Sequence, residues 1–133
     1  MTHRQRRSLA KYVSVTAAAF GLRDWTLEFP DEEPDEGHAL ASVECVYGRR
    51  LAIVRFRKDF ATQPCEEQRQ VVLHELIHIH FGHRRQATQD ALEGLGREGR
   101  QQAIEAITLG DEYGTAALAE AIAGFFPLWE GCK

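Results

Sequence analysis

Apolar residues near the start of the chain recur at helical spacing. Leu9, Tyr12, Val13, Thr16, Ala17 and Phe20 fall on one face, which predicts an amphipathic core helix from about Arg4 to Phe20, stopped at Gly21. The period then changes to two. Trp25, Leu27 and Phe29 alternate with Thr26 and Glu28, the signature of a short strand. Ala39 to Tyr47 alternates again, with Ala39, Ala41, Val43, Cys45 and Tyr47 on one face. Gly48-Arg49 reads as a turn, and Leu51 to Phe56 as the second arm of a hairpin. Pro64 suits the first turn of a helix, with Glu66 and Glu67 at the positive end of its dipole. This helix should run to about Phe81 and end near Gly82. Two weaker helical segments follow, Arg84 to Gly94 and Arg97 to Leu109, broken by Gly94, Gly96 and Gly99. Asp111 can cap a last helix, Glu112 to Phe126, that ends before Pro127.

The order of these elements predicts an α+β fold in one domain over residues 1–133, with a small antiparallel or mixed sheet packed on a buried helix and further helices toward the C-terminus. The buried helix is identified by its wheel. Val72, Leu73, Leu76, Ile77, Ile79 and Phe81 surround most of its circumference, so it must be covered nearly all round. His74, Glu75 and His78 form the one polar stripe on it.

Composition changes this picture little. The chain is 44% hydrophobic and 27% charged, which is ordinary for a globular protein. A net charge of -4 argues against a nucleic-acid binder. Arg4-Arg6-Arg7 and Arg84-Arg85 are local exceptions, better explained as solvated surface charge. His3 to Arg7 followed by Leu9 to Phe20 has the outline of a secretion signal, but Lys11 and Ser14 interrupt the apolar stretch, so the amphipathic helix is the expectation. No segment approaches the length of a membrane span. The three cysteines, Cys45, Cys65 and Cys132, include no C-x-x-C pair, so a structural zinc cluster is not expected; they read as free thiols of a cytoplasmic protein. Pro30 to Gly37 is an acidic loop, read as a solvated connector, with a cation site or a specificity loop beside a cleft as the sharper alternative.

The polar stripe carries the chemistry. His74-Glu75-Leu76-Ile77-His78 reads H-E-x-x-H. Two histidines four apart project from the same side of a helix and can reach one metal ion. Glu75 is offset by about 100° of rotation, beside the metal and not on it, where it can act as a base on water. Buried, unpaired His and Glu would be costly, and a metal removes that cost. The competing explanation is two histidines satisfied by ordinary hydrogen bonds in a core helix.

A catalytic zinc has three protein ligands and a water. His83 is one candidate for the third, but on an unbroken helix it points about 180° away from the other two. The extended pattern H-E-x-x-H-x-x-G-x-x-H fails, with Phe81 in place of its glycine and Arg84 in place of its histidine. Downstream acids are the alternatives: Glu105, Asp111, Glu112 and Glu120. Glu112 is preferred, because Ala116, Ala119 and Ala123 near its side of the last helix permit close packing on the active helix; Glu120 is the reserve. His80 falls away from the stripe and reads as a packing residue. Tyr47 and Tyr113 are candidate hydroxyl donors to an oxyanion, although tyrosines without such a role are commoner.

The run Val71 to Phe81 resembles the active helix of small zinc metallopeptidases, and the element order resembles the minimal zincin core. With a glutamate third ligand the chain is similar to gluzincin-like proteins, in particular ImmA/IrrE-like domains and small phage metalloproteases; Asp111 to Ala123 would match the helix that carries the glutamate. SprT-like domains, with a histidine third ligand soon after the motif, are the second resemblance, and there His83 would have to serve. The first resemblance implies a zinc-dependent endopeptidase acting on a protein or peptide, with His74, His78 and Glu112 on Zn2+ and Glu75 as general base. The expected substrate site is the Leu51–Phe56 strand, if that strand is an exposed edge. A zinc-binding regulatory or interaction module that cleaves nothing is the alternative from another class.

Overall fold

The computed structural model describes residues 1–46 and 48–132. Helix α1 spans His3–Ala19 and buries Leu9, Val13, Thr16 and Ala17, the face expected from the apolar spacing. Thr2 caps it, accepting from the Gln5 N–H while the Gln5 side chain accepts from the Thr2 N–H. Strands β1 (Thr26–Glu28), β2 (Ala41–Cys45) and β3 (Leu51–Phe56) follow. The expected extension of β2 to Tyr47 lies outside the described residues.

The β2–β3 hairpin is present as expected. The strand order, β1-β3-β2, was not legible: β1 pairs with β3 in parallel, so the sheet is mixed and β3 is central. Strand β3 pairs with β2 along Ala52–Phe56 and with β1 along Leu51–Ile53, so it is not the exposed edge on which the expected substrate pairing depended. The strand with a free edge beside the polar stripe is β2. Within β3 the burial alternates, with Ala52, Val54 and Phe56 inward, and these join Leu9, Val13 and Ala17 of α1 in the main core.

Helix α2 runs over Cys65–Ala91, ten residues further than expected, and passes straight through Gly82. A glycine inside a helix costs about 1 kcal/mol relative to alanine. Here it has a packing reason: a Cβ at Gly82 would lie 2.8 Å from Cys45 Sγ, so β2 can cross α2 closely only over a glycine. Helix α3 is likewise continuous, Arg97–Ala123. Of the three segments expected after Gly82, the first is the end of α2, and the other two are a single long helix that follows a short turn with Gly94 and Gly96. Gly99, Gly110 and Gly114 do not break α3.

Helix α2 lies between the two cores. Val72, Leu76 and Ile79 face α1 and the sheet, while Leu73 and Ile77 face Ala119 and Ala123 of α3. Fully burying each such side chain is worth about 1.5–3 kcal/mol. Of the small residues expected to face α2, Ala119 and Ala123 lie where the two helices meet, whereas Ala116 is exposed and the buried residue beside it is Thr115.

The free-thiol reading is corrected for two of the three cysteines. Cys65, at the start of α2, is disulfide-bonded to Cys132, and Cys45 alone is free. The spacing of 67 residues gave no sign of this pairing. It is the helix start and the Trp129 anchor, buried with its indole N–H on Ser8 Oγ, that bring the two together. No helix among the described residues is long and apolar enough to cross a membrane.

Candidate metal centre

His74 and His78 stand on successive turns of α2, and Glu112 reaches them from α3. His74 Nε2 and His78 Nε2 are 3.0 Å apart. Glu112 Oε2 is 3.3 Å from His74 Nε2, and Glu112 Oε1 is 3.0 Å from His78 Nε2. Among the described residues this is the group of His, Cys, Asp and Glu side chains that could hold a metal ion. The spacing fits one: ligands at about 2.0–2.2 Å from a tetrahedral zinc lie about 3.3 Å from each other. Burial is the main cause that holds the His78 proton affinity below the usual imidazole range, which favours the neutral ring a metal requires; Glu112 acts in the opposite sense.

The neighbouring acid on α3 fixes the approach. Asp111 is ion-paired to Arg84 of α2, and the Arg84 guanidinium lies 5.0 Å from the centre of the Phe81 ring. This contact ties α3 to α2 one residue before Glu112. Sequence reasoning weighed Asp111 only as a ligand or cap and did not foresee this pairing, because it joins residues 27 apart.

Glu75 points to the other side of the cleft, toward β2. It is 9% exposed. Its carboxyl pKa is raised from 4.5 to about 7, chiefly by burial, then by the Glu112 and Glu36 charges, against a hydrogen bond from the Val43 backbone. The hairpin register explains why Val43 is available. The Val46 N–H donates to Leu51 O and the Arg57 N–H to Leu40 O, so even-numbered residues of β2 face β3. The N–H and C=O groups of Ala41, Val43 and Cys45 therefore face the open edge.

A cleft of about 710 Å³ lies between β2 and α3, over α2, and includes His74, Glu75, His78 and Glu112. The other ligand candidates are elsewhere. His83 stacks against Trp25, ring centres 5.5 Å apart, on the side expected for an unbroken helix. Glu105 is exposed and accepts from Gln101, and Glu120 is exposed. His80 packs edge-on to Phe20 and bonds its carbonyl oxygen at 2.8 Å. Tyr113 is 73% exposed and does not line the cleft; Tyr47 lies outside the described residues. In each arginine cluster one member is ion-paired, Arg6 with Asp31 and Arg84 with Asp111.

Comparison of the chain with protein-family models, with curated proteins and with solved structures gives no match.

Proposed function

We propose that the chain is a zinc-dependent endopeptidase that hydrolyses peptide bonds in a protein substrate. One observation carries the reading: a buried carboxyl with a raised pKa, Glu75, stands beside three side chains spaced to hold one metal ion, on the wall of an open cleft. His74, His78 and Glu112 would be the zinc ligands. Zinc held there supplies Lewis acidity, lowering the pKa of water toward ~7 and polarising a carbonyl group. Glu75, in its ionised form, would accept a proton from the attacking water and return it to the leaving amine. The free edge of β2 supports an extended substrate by strand addition, with its outward N–H and C=O groups along the cleft. The likeness to minimal zincins and ImmA/IrrE-like domains is part of this proposal, and rests on the motif, the element order and the glutamate on α3.

A non-catalytic zinc-binding module would be better served by a fourth protein donor. The group here has three members among the described residues, and the Glu112 side chain is 46% exposed, which supports the hydrolytic reading. A cytoplasmic setting carries a condition: reducing conditions would separate Cys65 and Cys132, so a cytoplasmic enzyme would work in its dithiol form.

The test is a pair of variants assayed for zinc content and for cleavage of an unfolded protein. Glu75→Gln should keep stoichiometric zinc and lose at least ~100-fold in rate. Glu112→Gln should lose zinc. Undiminished cleavage by Glu75→Gln would sink the mechanism.

A further inference from the structure

The cleft carries charge of opposite sign at its two ends. Arg85 is seven residues beyond His78, so it stands about 10.5 Å further along α2 on nearly the same side. It is exposed, lines the cleft and makes no ion pair among the described residues. Its neighbours are spoken for: Arg55, the other arginine lining the cleft, is held by Glu32 and Glu44, and Arg84 by Asp111. At the opposite end are Asp35 and Glu36, from the acidic loop that leads into β2.

The path of β2 gives these ends a direction. Cys45, at the C-terminal end of β2, lies over Gly82, three residues before Arg85, so β2 runs toward the Arg85 end. Antiparallel pairing is the more stable kind per residue. A peptide paired that way on the open edge has its N-terminal side at Arg85 and its C-terminal side at Asp35 and Glu36. The offset of about 10.5 Å corresponds to about three residues of extended chain at ~3.4 Å each.

We propose that the cleft selects peptides by charge polarity: Arg85 binds an acidic side chain about three residues before the cleaved bond, and Asp35 and Glu36 favour a basic side chain after it. This rests on the endopeptidase reading for the position of the cleaved bond. A free C-terminal carboxylate at Arg85 would need the opposite, parallel entry.

The experiment reads binding separately from hydrolysis. Labelled decapeptides are titrated, by fluorescence anisotropy at low salt with zinc present, against the full-length Glu75→Gln protein. One peptide is acidic before its centre and basic after it, a second has the charges reversed, and a neutral pair ends in a free carboxylate or an amide. The first should bind roughly tenfold more tightly than the second, as a single charge-assisted contact allows. That preference should shrink with added salt, fall in Arg85→Gln, and fall to about one when Arg85→Gln is combined with Asp35→Asn and Glu36→Gln. Equal binding of the two charged peptides, or a preference undiminished in Arg85→Gln, overturns the proposal. So does tighter binding of the free carboxylate than the amide when the internal acid has no effect. Failure of the wild-type protein to cut any peptide counts against the endopeptidase reading alone.

Discussion

Glu75 should destabilise the metal-free protein, and by an amount that grows with pH. Its pKa rises from 4.5 unfolded to about 7 folded, a difference of roughly 3 kcal/mol. The sign follows from proton binding. Between those two values the unfolded chain has released the Glu75 proton and the folded chain has kept it, so raising the pH favours unfolding. The cost is under about 1 kcal/mol at pH 5 and about 3 kcal/mol at pH 8. Glu75→Gln keeps the shape and an oxygen for the Val43 N–H, and cannot ionise. Urea unfolding in the presence of a chelator should therefore show the variant nearly equal to wild type at pH 5. At pH 8 it should be more stable by up to about 3 kcal/mol, a midpoint shift of about 1–2 M. A stability difference that does not change between the two pH values would refute the claim that Glu75 is buried and titrates near neutrality.

Two further outcomes test the framework around the site. Gly82→Ala adds helix propensity worth about 1 kcal/mol, so on local grounds it should stabilise; the 2.8 Å approach of its Cβ to Cys45 Sγ predicts instead a loss of about 1–3 kcal/mol, partly recovered by Cys45→Ala, as melting curves of the single and double variants would show. Opening the Cys65–Cys132 bond, by reduction or by Cys65→Ser, should cost about 4 kcal/mol for a separation of 67 residues, and a chemical unfolding curve unchanged by reductant would contradict the bond.

What the sequence made legible was whatever depends on local period. The buried helix with one polar stripe, the hairpin, and the burial of Leu9, Val13 and Ala17 follow from spacing alone. Glu112 followed from a packing argument, that alanines allow a close helix, and α3 does pack on α2 at Ala119 and Ala123. The errors came from contacts between distant residues. Gly82 was read as a stop because its purpose is a close approach by Cys45, 37 positions earlier in the chain. The parallel pairing of β1 with β3 placed Leu51–Phe56 in the centre of the sheet, and so moved the expected substrate edge to β2. The disulfide was hidden for the same reason. Arg84 is paired with Asp111, which leaves Arg85 as the unpaired cation of the cleft among the described residues, a distinction invisible in two adjacent arginines.

The placement of His78 and Glu112 on two helices joined by one turn limits how this chain can change length. Inserting a single residue between Arg97 and Asp111 would swing Glu112 by about 100° and shift it by about 1.5 Å, out of reach of the histidines. Seven inserted residues would restore the angle to within about 20° but leave Glu112 about 10.5 Å out of step. Only an equal insertion between His78 and Ala91 on the other arm brings the two back level. Insertions and deletions in this hairpin are therefore tolerated singly at Leu92–Gly96 and, within the arms, only in matched pairs of whole turns.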